Sequence, residues 1–213
     1  MFFLKNIPVQ HFCNLLLIFY ACFCKLCGAN RYWDTDGSPN LNADWSSTNW
    51  NINSDGSGTK SGWTTGDTAI FSAGNNVANG ISSIENDLTT QLGGITVKDG
   101  DIIITDDNND GAIALDLLTN IFNVEEGSSL TFNEDLGFGG MTLNKTGKGL
   151  LTFGGGVGGA TTINQGKINI ASGLDLSSGL FTGTSGAGTA KSVIGGLGTV
   201  DSVTIGSDNG EID

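Results

Sequence analysis

The stretch Ile95-Thr96-Val97-Lys98-Asp99-Gly100 places two apolar residues around one polar residue and ends on a glycine. The same order recurs down the chain at Phe122–Gly127 and Leu174–Gly179. Thr161–Gly166 is a looser copy, and Met141–Leu143 begins a copy whose glycine is delayed to Gly147. A second apolar triplet usually follows the glycine, as in Ile102-Ile103-Ile104. The copies are about 22 residues apart on average, a spacing that is typical of solenoids and other repeat proteins.

Side chains on a strand alternate between its two faces, so the two apolar residues of each triplet point the same way. We therefore predict that the second apolar positions stack into one buried column, made of Val97, Val124, Leu143, Ile163, Leu176 and Ile205. The glycine supplies a corner with positive φ, a conformation that costs other residues energy. The sequence thus predicts an all-β fold, a β-solenoid built from parallel strands. A β-sandwich remains the alternative, because short strands with regular turns also describe one.

Three regions differ in composition. Residues 1–29 are predicted to be a signal peptide, because Lys5 precedes a run of about 13 mostly apolar residues, too few for a spanning helix of roughly 20. Small residues where signal peptidase would cut follow at Cys27-Gly28-Ala29. Residues 30–90 hold all four tryptophans and are predicted to form an irregular N-terminal cap, and residues 91–213 are predicted to form the solenoid repeats.

Removal of the signal peptide would change the chemistry that the chain can perform. All four cysteines and the single histidine, His11, lie within residues 1–29. The remaining chain would have neither a thiol nor an imidazole, so cysteine and histidine nucleophile systems and thiolate or imidazole zinc sites are excluded. Loss of Lys5 and Lys25 leaves seven basic residues against 22 acidic ones, a net charge of −15. Such a surface repels phosphate backbones, so we predict no nucleic-acid partner, and no small-molecule substrate is evident.

Residues 141–170 carry a resemblance to a known repeat. The segments Met141–Gly154 and Ala160–Ile170 resemble the autotransporter-associated β-strand repeat, also called the passenger-associated transport repeat. The pattern L-x-K-x-G-x-G-x-L-x-L-x-G, a loop, then T-T-x-N-x-G-x-L-x-I is matched at Lys145, Gly147, Gly149, Thr161, Thr162, Asn164 and Gly166. The loop Gly154–Gly159 is shorter than is usual in the family. Trp45–Trp50 together with Trp63–Phe71 is similar to the region that often precedes such repeats, and Gly195–Gly206 is similar to the segment that closes them.

The resemblance implies a right-handed parallel β-helix on, or released from, the surface of a bacterium with an outer membrane. It implies a non-enzymatic structural passenger or stalk within a longer protein, whose partners would be further β-helix coils or a C-terminal barrel. An adhesin that binds a surface glycan or a host partner is the alternative function. A polysaccharide-active enzyme is the third reading, because paired carboxylates can hydrolyse glycosidic bonds.

Two groups of residues are candidates for binding. Asp106-x-Asn108-x-Asp110-Gly111 has the spacing of the first half of a calcium loop, but Leu117 stands where a bidentate glutamate is needed. Asp106, Asn108 and Asp110 are therefore a candidate calcium site, with a solvated turn as the preferred interpretation, and no other cofactor is predicted. Trp33, Trp45, Trp50 and Trp63 could stack on a glycan, although filling the first coil is the preferred role, since tryptophan buries a large area.

Overall fold

In the computed structural model, the described residues form strands and turns without a helix. These residues are 28–34, 43–71, 81–87, 89–106, 112–115, 121–133, 136–154, 157–163, 166–170, 175–183, 192–196, 199–205 and 210–212. The predicted all-β class is confirmed. Residues 1–27 of the predicted signal peptide lie outside the described part of the chain, as do Asn108 and Asp110 of the candidate calcium site.

The described strands belong to two sheets. Sheet A contains β1 (Asn30–Trp33), β3 (Trp50–Asn51), β4 (Thr68–Phe71), β6 (Thr89–Leu92), β7 (Gly94–Val97), β9 (Ala112–Leu115), β10 (Ile121–Val124), β12 (Leu136–Thr146), β14 (Val157–Ile163), β16 (Asp175–Gly183) and β18 (Thr199–Ile205). Sheet B contains β2 (Ala43–Asp44), β5 (Ile81–Glu85), β8 (Asp101–Thr105), β11 (Ser129–Phe132), β13 (Leu150–Phe153), β15 (Gly166–Ile170), β17 (Ser192–Gly196) and β19 (Gly210–Ile212). From β10 onward the chain alternates between the two sheets.

Parallel pairing joins each strand to one from a neighbouring repeat. In sheet A, β7 pairs with β10 so that Ile95 lies opposite Phe122, and in sheet B, β8 pairs with β11 so that Ile102 lies opposite Leu130. The later strands continue this order to β18 and β19. Parallel pairing is not what a β-sandwich would show, since its sheets are antiparallel. The described exception is β3, a two-residue strand that runs antiparallel to β1 at one edge of sheet A.

The core lies between the two sheets. Alternate residues of the triplets are buried, including Ile95 and Val97 in β7 and Ile102 and Ile104 in β8. The rings of Phe122 from sheet A and Phe132 from sheet B stack with centroids 5.4 Å apart, which shows that the sheets pack directly on each other. The buried apolar residues form one continuous cluster, and burial of each large aliphatic or aromatic side chain stabilises the fold by roughly 1.5–3 kcal/mol.

The first pair of the predicted apolar column is correct, but the next residue of the column, Leu143, does not continue it. Val97 lies opposite Val124, as expected. Lys145, however, lies opposite Phe122 on one side and Ile163 on the other, while Leu143 lies opposite Thr161. Leu143 and Lys145 occupy the same face of the long strand β12, whose register against β14 shifts between Gly137 and Thr142. The backbone pairing, and not the apolar pattern alone, therefore selects which residues stack.

Glycines with positive φ stand at the predicted corner. Gly127 has φ of 86° and Gly147 has φ of 71°, in the left-handed region that favours glycine. The space around the two differs. A Cβ on Gly147 would lie 2.2 Å from the carbonyl oxygen of Val124, whereas a Cβ on Gly127 would have no atom within 4 Å. Gly147 therefore allows close approach of two chain segments as well as the turn itself.

The different surroundings of Gly127 and Gly147 provide a test of the close approach at Gly147. Gly127→Ala should lower the free energy of unfolding by about 1–2 kcal/mol, the cost of left-handed backbone in a residue with a Cβ. Gly147→Ala should cost a further 1–3 kcal/mol or so, because the new methyl group forces the Val124 segment to move. Urea denaturation of both variants gives the comparison. Equal losses would contradict the close approach at Gly147.

Candidate functional site

The four tryptophans come together at the N-terminal end of the two sheets. They are contributed by β1, by the turn after β2, by β3 and by the segment before β4, and Phe71 completes the cluster. The Trp50 ring lies 4.9 Å from that of Trp33, 5.2 Å from that of Trp45 and 4.7 Å from that of Trp63, measured between centroids. Most of these contacts are edge-to-face or tilted, the geometry that aromatic pairs prefer. The indole N–H of Trp50 donates a hydrogen bond of 2.9 Å to the carbonyl oxygen of Trp45.

The burial of these rings bears on the glycan-binding hypothesis. Trp33, Trp45 and Trp50 have no exposed surface, and Trp63 is partly buried against the same cluster. A sugar stacks on an open aromatic face, which these three rings do not present. The placement supports the interpretation in which the tryptophans fill and seal the end of the core.

The loop after β3 has a polar pattern that the sequence reasoning missed. Asn51, Asn53, Asp55 and Gly56 have the same spacing in the sequence as the residues of the candidate calcium loop, Asp106 to Gly111. Asn51 is buried, donates to the buried Asp34 carboxylate at 2.9 Å, and accepts the N–H of Asn53 through its Oδ1. The N–H of Ser57 donates to Asp55, and this hydrogen bond lowers the pKa of the Asp55 carboxyl. The side-chain oxygens of Asn51 and Asp55 thus accept backbone hydrogen bonds that hold the loop.

The candidate calcium site is only partly described. Asp106 follows the end of β8 and is partly exposed, whereas Asn108 and Asp110 lie outside the described residues. Within the described part of the chain, no group of three or more histidine, cysteine, aspartate or glutamate side chains could hold a metal ion. The calcium site stays a prediction.

Lys145 is a buried charge in the wall of sheet A. Its side chain has no exposed surface, and its ammonium Nζ donates to the carbonyl oxygens of Thr146 at 2.6 Å and Gly147 at 2.8 Å. Burial lowers the pKa of Lys145 to about 7, because desolvation penalises the charged form. Lys145 lies two residues after Leu143 on the same strand. Because side chains alternate between the two faces of a strand, this spacing indicates that Lys145 points inward as Leu143 does. The side chain satisfies two carbonyl oxygens at the corner that Gly147 forms.

Nothing among the described elements is a helix long and apolar enough to cross a membrane. No protein-family model, no curated protein and no solved structure matches the chain.

The buried ammonium predicts how stability depends on pH. Between pH 7 and 10.5, the unfolded chain binds a proton at Lys145 that the folded chain has lost, so the free energy of unfolding should rise with pH in this window. The slope should approach about 1.4 kcal/mol per pH unit. In Lys145→Met this contribution should disappear, as urea denaturation from pH 6 to 10 would reveal.

The matched control is Lys148→Met, because Lys148 is exposed and pairs with Glu126 at 3.0 Å. This variant should keep the rise with pH. An unchanged pH dependence in Lys145→Met would contradict the burial of a titrating ammonium.

Proposed function

We propose that this chain is a non-enzymatic structural segment of a secreted or surface-displayed protein, in which the two sheets are opposite walls of a right-handed β-solenoid. The proposal includes membership of the autotransporter-associated repeat proteins, in which such a segment serves as a passenger or stalk. The chain would hold other parts of the protein away from the cell, and further coils or a barrel would belong to the same longer protein.

One observation carries the structural part of this proposal. In sheet A, β10, β12, β14, β16 and β18 pair in chain order, and in sheet B, β11, β13, β15, β17 and β19 do the same. This order supports the proposed coil, because a chain that winds as a coil crosses between its two walls and advances by one strand in each at every crossing. Strands of a compact sandwich would not advance together in this way. Repeats that contact only their neighbours form rods, a shape that suits a spacer.

The acidic composition and the repeats support the cellular part of the proposal. The chain carries 22 acidic and nine basic residues, and its cysteines and histidine precede the first described strand. A domain without thiols has no disulfide to close a loop during passage through a membrane pore. Several outward residues of the strands, such as Thr131 and Thr152, are small, polar and partly exposed, as expected for a solvated wall.

Removal of one repeat tests the solenoid. Ile121 lies opposite Asn144, so deletion of residues 122–144 joins Ile121 to Lys145 and leaves each side chain on its original face. The shortened chain should fold cooperatively, with a smaller denaturant m-value because less surface is exposed on unfolding. Circular dichroism and urea denaturation provide the measurement.

The control deletion is one residue longer, 122–145. It joins Ile121 to Thr146 and inverts the alternation of the fused strand, since a slip of one residue turns every side chain to the other face. This variant should be markedly less stable than the first. Equal unfolding of both deletions would contradict a repeat-by-repeat architecture.

The cellular role is tested by fractionation. The full-length chain with a C-terminal tag, expressed in a bacterium with an outer membrane, should be recovered from the periplasm or medium. A chain that lacks residues 2–27 should remain in the cytoplasm. Retention of the full-length chain in the cytoplasm would contradict the proposed export.

A further inference from the structure

The first described residues converge on a buried carboxylate. Asp67 precedes β4 and is 5 % exposed. Its Oδ1 accepts the backbone N–H of Ala29 at 2.7 Å, and its Oδ2 accepts Nε of Arg31 at 2.6 Å. The Arg31 guanidinium also donates to the hydroxyls of Ser61 at 3.2 Å and Thr64 at 3.1 Å. One carboxylate therefore fixes both the nitrogen of Ala29 and the side chain of Arg31.

The backbone around Asp67 holds this carboxylate in position. The N–H of Asp67 donates to the carbonyl of Thr64 at 3.1 Å, and the N–H of Gly93 donates to the carbonyl of Asp67 at 2.9 Å. Neighbouring Gly66 donates to the carbonyl of Gln91 at 3.0 Å. The acceptor is thus anchored by the strands of sheet A and does not depend on the residues before Ala29.

Ala29 is part of the folded structure, although it was predicted to be the last residue of the signal peptide. Its carbonyl oxygen accepts the N–H of Thr68 at 2.9 Å, so both of its backbone polar groups are paired. Gly28 differs from it, since a Cβ at this position would lie 1.7 Å from the carbonyl oxygen of Gly66. Cleavage after Ala29 would discard two hydrogen bonds, whereas cleavage before it would keep both and free a crowded glycine.

We propose that export processing cuts the Gly28–Ala29 bond and that Asp67 is the receptor for the α-ammonium that this cut creates. Water hydrolyses the amide: the C–N bond breaks, Gly28 leaves as the carboxylate end of the leader, and the Ala29 nitrogen becomes a charged amine. An amide donor to Asp67 is thereby replaced by a cationic one, and charge-assisted hydrogen bonds are the stronger kind. The inference rests on the proposed export.

The new ion pair links maturation to stability. Asp67 and Arg31 are the charged side chains among the described contacts here, and the Asp67 carboxylate, which accepts directly from the Ala29 nitrogen, favours the charged form of the amine. The stabilisation is present while the amine is charged and is lost at high pH, where the amine is neutral.

The position of the cut is tested on the full-length chain. Protein recovered from the periplasm or medium should begin at Ala29 by intact mass and N-terminal sequencing. An exported protein that begins at Asn30 or elsewhere overturns the inference and leaves the proposed function standing. A chain that stays in the cytoplasm with residues 1–28 attached overturns both.

The role of Asp67 is tested by removing the charge from either partner. Selective acetylation of the Ala29 amine in the exported protein should lower the urea midpoint at pH 7. At high pH, the acetylated and the unmodified protein should have the same midpoint. Lys145 titrates equally in both samples, so the comparison isolates the N-terminus. In Asp67→Asn, acetylation should have no effect, whereas the control Asp101→Asn, at an exposed residue of β8, should keep it. If Asp67→Asn does not fold, the acetylated protein decides alone, and an unchanged midpoint overturns the inference.

Discussion

Apart from β3, the described strands of this fold depend on parallel backbone pairing between segments that are a repeat apart in sequence. Once Phe122 is opposite Ile95, the neighbouring residues of both strands are fixed as well, because each strand offers its N–H and C=O groups in a set order. The pairing tolerates repeats of unequal length. Ile102 and its partner Leu130 are 28 residues apart, whereas Leu151 and its partner Ile168 are 17 apart. The connections absorb the difference, and the paired triplets keep their register.

The local pattern was sufficient to predict many strands and corners of the repeat region, although Gly179, predicted to be a corner, lies inside β16. The triplets around Val97, Val124 and Leu130 lie in strands, and Gly100, Gly127, Gly147 and Gly166 have positive φ. These features follow from alternation and from the special backbone freedom of glycine, which are properties of adjacent residues. The register of β12 was not predictable in the same way. It depends on two neighbouring strands at once, and a pattern that groups Leu143 with Val124 contains no information about them.

Dependence on partners that are distant in sequence also explains why most strands near the N-terminus were not predicted. Residues 30–90 were predicted to be irregular, and only Thr68–Phe71, which is β4, has a clear strand pattern there; yet β1, β2, β3, β5 and the first residues of β6 lie in the same region. These strands are short, and β2 and β3 contain two residues each, so their stability comes from the partners with which they pair. The burial of the tryptophans was foreseen from their size. The binding role of Asp67 was not, because an acidic residue in a turn-rich segment is ordinarily solvated, and only the fold brings Ala29 and Arg31 to it.

Lys145 and Asp67 show how this narrow core accommodates charge. Both side chains are buried. A charge removed from water without partners costs several kcal/mol, so such positions require hydrogen bonds that the fold supplies. Lys145 donates to the main-chain oxygens of Thr146 and Gly147, whereas Asp67 accepts from the backbone N–H of Ala29 and from the guanidinium of Arg31.

The antiparallel strand β3 makes the two edges of sheet A different. At that end, the N–H and C=O groups of Trp50 exchange hydrogen bonds with Ser61, and the two-residue strand has no room for another parallel neighbour. In the described residues, β3 therefore closes this edge of sheet A to a further parallel strand, whereas the other ends of the two sheets are formed by the parallel strands β18 and β19. Because translation begins at the N-terminus, the edge of sheet A that β3 closes is synthesised before the strands that pair in order toward β18 and β19.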